Sequence, residues 1–74
     1  MTKMRFNQEK AIEEVLFTYL GVGKSLEEAI SATDWVTAIP EGTEFLFPDG
    51  EDWAMYPHYG AYLRVNRDCC EEAV

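Results

Sequence analysis

No lysine and no arginine occurs between Ser25 and Leu63. The same stretch holds eight acids: Glu27, Glu28, Asp34, Glu41, Glu44, Asp49, Glu51 and Asp52. Residues before it set Lys3, Arg5, Lys10 and Lys24 against Glu9, Glu13 and Glu14, and residues after it set Arg64 and Arg67 against Asp68, Glu71 and Glu72. The formal net charge of −8 therefore sits in the middle of the chain. Like charges repel in the compact state, so the imbalance does not serve folding and points to partners instead. An acidic surface is repelled by phosphate backbones and anionic lipid, which argues against direct nucleic-acid or membrane binding.

Other absences narrow the class further. No apolar stretch approaches the ~20 residues of a membrane span. No apolar segment follows the cations Lys3 and Arg5, so a secretory leader is not expected and a cytoplasmic location is. The two cysteines, Cys69 and Cys70, are neighbours. Adjacent Cα atoms lie ~3.8 Å apart, below the usual disulfide range, so both are expected as reduced thiols.

What is present belongs to a folded chain. Seventy-four residues make one domain, and 47% of them are hydrophobic, too many for an acidic disordered tail. Residues 7–20 carry the clearest pattern. Ile12, Val15, Leu16, Tyr19 and Leu20 share one helical face, Asn7 is a suitable N-cap, and Gly21 a suitable stop. Phe17 lies off that stripe, either widening the buried face or exposed for a partner. Ser25-Leu26-Glu27-Glu28 reads as a capping box that opens a shorter helix.

Beyond Asp34 the period falls to two. Residues 35–39 and 43–47 read as strands, with Phe45 and Phe47 on one face. Pro48-Asp49-Gly50 reads as the turn of a hairpin that returns through residues 53–56. Pro57-His58-Tyr59-Gly60 reads as a second turn before a strand over 61–65. Residues 66–74 read as a polar, frayed tail. The expected architecture is α+β, with two N-terminal helices packed on a three- or four-stranded antiparallel sheet. Trp53 is expected in the core beside Phe45, Phe47 and Trp35.

No motif carries recognised chemistry. Gly21-Val22-Gly23-Lys24-Ser25 resembles the end of a phosphate-binding loop, but Thr18 stands where that loop needs glycine, and a helix precedes it. Asp49-Gly50-Glu51-Asp52 lacks the alternating oxygens of a calcium loop. His58, Cys69 and Cys70 do not give the spacing of a structural zinc site. Carboxylates near the two thiols raise their pKa, the wrong direction for a nucleophile. The expectation is therefore a protein that is not an enzyme, with no cofactor and no metal.

Acidity and aromatics remain. At the ~1.7 Å charge spacing of duplex DNA, eight carboxylates would cover about 14 Å, while a chain this long has a radius of gyration of about 11 Å. The charge supply suits imitation of a few base pairs. The expected partner is a protein with a basic, nucleic-acid-binding surface. The expected contacts are Glu41, Glu44, Asp49, Glu51 and Asp52, with Tyr56 and Tyr59 as aromatic anchors, and Tyr62 a further candidate for exposure. In size, acidity and α+β character the chain resembles phage-encoded anti-defence proteins, notably anti-CRISPR proteins and anti-restriction DNA mimics. That resemblance implies a stoichiometric inhibitor of a nuclease or CRISPR effector, and carries no residue over. The rival expectation is an acidic interaction module or regulatory adaptor, monomeric or homodimeric through Phe17 or a sheet edge.

Overall fold

Met4 and Phe6 are buried while Lys3 and Arg5 between them are exposed, the alternation of a half-buried strand. This strand, β1 (Thr2–Phe6), opens the chain in the computed structural model, which describes residues 1–73. It is followed by α1 (Gln8–Gly21), α2 (Leu26–Ser31), a 3-10 helix (Asp34–Ala38) and β2 (Glu44–Phe47). Next come β3 (Trp53–His58), β4 (Ala61–Asn66), a second 3-10 helix (Arg67–Cys69) and β5 (Cys70–Glu72). The fold is α+β, with a three-stranded antiparallel sheet ordered β2-β1-β5 and a separate β3–β4 ribbon.

The central strand of the larger sheet is thus the one before α1. Met4 faces Phe45 on one side and Glu72 on the other, and Phe6 faces Cys70. The core is built from Met4, Phe6, Ala11, Val36, Ile39, Phe45, Phe47, Val65, Cys69 and Cys70. Phe45 is its aromatic hub, with ring centroids 6.4 Å from Phe6, 6.4 Å from Phe47 and 6.2 Å from Tyr56, and Phe6 adds Trp35 at 6.2 Å.

Both expected helices form, and with the expected N-caps. Asn7 accepts from the Lys10 N–H at 2.9 Å, and the Ser25 hydroxyl from the Glu28 N–H at 3.1 Å. The buried face of α1 differs from its periodic stripe. Ala11 is fully buried, Val15 and Leu16 are half-buried, and Ile12, Tyr19 and Leu20 are exposed. Alanine lets the first turns approach the two 3-10 helices closely, and Gln8 Nε2 fixes that end by donating to the Ile39 carbonyl at 2.9 Å. α1 also packs against α2, and its Val15, Thr18 and Tyr19 line a hollow with Trp35, Arg64 and Asn66.

Three further expectations are corrected. Residues 35–39 are not a strand. The Thr33 and Thr37 hydroxyls donate to carbonyls three residues back, at 2.6 and 3.2 Å, and a 3-10 turn puts Val36 and Ile39 on one buried side. The turn at Pro48 forms, with the Glu51 N–H donating to the Pro48 carbonyl at 3.0 Å, but β2 and β3 make no ladder across it. β2 pairs with β1 because that register places Phe45 and Phe47 on the same side as Met4 and Phe6.

Residues 66–73 are not frayed. The Asn66 side chain caps the second 3-10 helix, Cys69 and Cys70 are buried, and Cys70–Glu72 adds to β1. The Cys69 carbonyl accepts from the Asn7 N–H at 3.0 Å, and Lys10 Nζ donates to the Cys70 carbonyl at 2.8 Å. The thiols act as small apolar side chains, which the polar residues around them concealed.

Candidate protein-binding surface

The β3–β4 ribbon contains no acidic residue, although the protein carries 14. Its inner face rests on the core through Ala54, Tyr56, Leu63 and Val65. Its outer face carries Trp53, Met55, Pro57, Tyr62 and Arg64, all exposed. Trp53 therefore lies on the surface, not in the core, with the Arg64 guanidinium 4.6 Å above its ring. The ribbon closes on a two-residue turn, Tyr59-Gly60, between His58 and Ala61. Both turn residues have positive φ, 48° and 77°, as a primed hairpin turn requires.

Such turns favour asparagine, aspartate or glycine at the first position, because a bulky L-residue there is strained. Tyrosine occupies it here and is 96% exposed. His58 braces it, ring edge to face at 4.5 Å. A strained aromatic that buries nothing contributes little to folding. It presents contact area at small entropic cost, which is what a binding anchor needs.

The remaining expected contacts divide. Tyr56 lies on the inner face, half-buried, with its ring 6.2 Å from Phe45, and serves packing. Glu41 accepts from the Gln8 N–H at 2.8 Å, satisfying a free amide at the start of α1. Asp49 meets the N-terminal amine at 3.1 Å, and Glu44 meets Lys3 at 3.3 Å. Asp52 stands 3.9 Å from Arg67, too far for a hydrogen bond. The stretch without cations in sequence is thus not without cations in space, since β1 and the segment after β4 supply them. These pairs are exposed and worth only about 0–1 kcal/mol each, so the carboxylates stay accessible. Among the described residues Glu51 pairs with no cation of the chain.

Glu44 and Glu51 come together with Leu46, Pro48, Trp53 and Met55 around a groove of about 590 Å³ between β2 and β3. Arg67 holds the loop between β2 and β3, its N–H donating to the Asp52 carbonyl at 2.7 Å and Nη2 to the Glu51 carbonyl at 2.8 Å. Trp53, Met55 and Leu46 are the surface residues that sequence reasoning missed. The usable signal was the alternation of Trp53, Met55 and Pro57 along one strand face.

Other candidate chemistry does not assemble. His58 sits near the ribbon tip, while Cys69 and Cys70 lie in the core. Burial pushes the Cys70 thiol up to about 11, and burial with the charges of Glu14 and Asp68 raises Cys69. Among the described residues no three His, Cys, Asp or Glu side chains are grouped to hold a metal ion, and no helix is long and apolar enough to cross a membrane. No family model, no curated protein and no solved structure matches the chain.

Proposed function

We propose that the protein is a non-catalytic, stoichiometric inhibitor that binds a protein with a basic, nucleic-acid-binding surface, in the manner of the phage anti-CRISPR and anti-restriction proteins it resembles. One observation carries this reading: an acid-free aromatic ribbon, tipped by the exposed and strained Tyr59, projects from a body of strongly negative charge. The work divides between the two. Carboxylates at Glu44, Asp49, Glu51 and Asp52 steer the encounter and set its salt dependence, while Tyr59, Tyr62 and Trp53 set the residence time. The weak pairs from Lys3 and the N-terminal amine are exchanged for the partner's cations on docking. Photo-cross-linking from positions 59 and 62 in the source cells tests the reading. One nucleic-acid-binding protein captured from both positions, and not from position 13 on α1, supports it. Capture of a protein without such a surface counts against it.

A second reading has its own observation. Phe17, Val22, Leu26 and Ile30 are all more than half exposed at the far end of α1 and α2. An adaptor that joins another chain there would use them, and substitutions at Phe17 and Leu26 would then abolish binding while Tyr59→Ala would not.

A further inference from the structure

The ladder between β1 and β2 has a fixed phase. The Phe6 N–H donates to the Thr43 carbonyl, and the Phe6 carbonyl accepts from the Gly42 N–H. On the other side of β1, the Lys3 carbonyl accepts from the Ala73 N–H. Hydrogen-bonding residues alternate along an antiparallel pair. Phe45 and Phe47 therefore spend their backbone groups on β1, and Glu44 and Leu46 turn theirs to the open edge.

The same reasoning applies to the ribbon. The Arg67 N–H reaches the Asp52 carbonyl, so Ala54, Tyr56 and His58 bond to β4. Trp53, Met55 and Pro57 point their backbone groups outward. Proline is tolerated in β3 for this reason, because its missing N–H falls on the unpaired side. Among the described residues, no backbone bond joins these two open edges. They flank the groove lined by Glu44, Leu46, Trp53 and Met55.

We propose that this seam takes an extended peptide segment of the partner as an added strand, bonded to the Glu44 and Leu46 backbone and carrying apolar and basic side chains in turn along its outward face, at every second residue. Glu44 and Leu46 share the exposed face of β2, so on the outward face of such a strand the apolar side chains meet Leu46, Trp53 and Met55, and the cations meet Glu44 and Glu51. Strand addition to an open edge takes affinity from main-chain bonds and specificity from alternate side chains. A second copy of the chain is a poor occupant, because two seams would bring Glu44 and Glu51 against themselves on bodies of charge −8. This inference rests on the reading of the protein as a binder and names the form of the element that enters it.

The probe is an eight-residue peptide in which valine and lysine take turns at every second position, with threonine between them, blocked at both ends and titrated into the isotope-labelled full chain. Saturable shifts and slowed hydrogen exchange at the Glu44 and Leu46 amides are expected. N-methylation of alternate peptide amides should weaken binding by about tenfold or more, the effect of about one lost backbone bond. Leu46→Pro should do the same, because it removes an N–H that the β1 ladder does not use. Circular dichroism verifies that this variant is folded; if it is not, the N-methylated peptide on the unaltered chain decides. Shifts confined to residues 59–62 or to the 48–52 loop would overturn the proposal. So would equal binding of the methylated peptide, or self-association of the chain through β2. A peptide that binds the seam while the partner keeps its nucleic acid would leave the seam standing and remove the inhibitor reading.

Discussion

Replacing Tyr59 separates what the ribbon tip does for folding from what it does for binding. Its φ of 48° lies in the left-handed region, which costs a bulky L-residue roughly 1–2 kcal/mol. Asparagine visits that region readily; alanine does not. Tyr59→Asn and Tyr59→Ala both delete the ring and its edge contact with His58, so their difference isolates the backbone. The asparagine variant should be the more stable by about 1 kcal/mol. In a domain of this size that is a melting-temperature gap of about 4–8 °C, read by circular dichroism. Both variants should lose partner affinity alike, by about 2 kcal/mol or roughly thirtyfold in Kd, as an interface anchor does. Melting curves that coincide would show that residue 59 is not held at positive φ. Retained affinity in both would show that the exposed ring is not an anchor.

The buried thiols give two further expectations. Cys69→Ser and Cys70→Ser should each destabilise by about 1–3 kcal/mol, measured by urea titration, because a hydroxyl replaces an apolar group in the core. Stability should also fall as pH rises from about 9 toward 11. The Cys70 pKa is raised from 9.0 to about 11 in the fold, so the unfolded chain loses that proton first. Cys70→Ala should flatten this slope, and an unchanged slope would contradict the burial. On α1, Ala11→Leu should cost about 1–3 kcal/mol by overpacking a fully buried site, whereas Leu16→Ala, at a half-buried one, should cost less than about 2 kcal/mol.

Much of the local structure was legible. Asn7 and Ser25 announced the helix starts, and Phe45 and Phe47 the inner face of β2. Long-range pairing was not. Phe6 pairs with Cys70 across almost the whole chain, and no local pattern encodes that choice. β5 is three residues long, too short for its period to show. Trp53 was read as core by its size, although its position opposite Asn66 and beside Arg64 puts it outside. For the surface, the exposure of Tyr59 and of the acidic 49–52 loop was legible in sequence. Sequence could not show that Lys3, the N-terminal amine and Arg67 lie beside Glu44, Asp49 and Asp52, because sequence order does not report spatial neighbours.

Competition on the cross-linked partner is the decisive measurement. The partner is loaded with labelled DNA or RNA, the protein is titrated in, and bound nucleic acid is read by fluorescence anisotropy at low and high salt. Release of the nucleic acid at one protein per site is expected, with association slowed by salt and by Glu51→Lys and with dissociation hastened by Tyr59→Ala. Nucleic acid that stays fully bound while the protein saturates its partner would contradict inhibition at a basic surface.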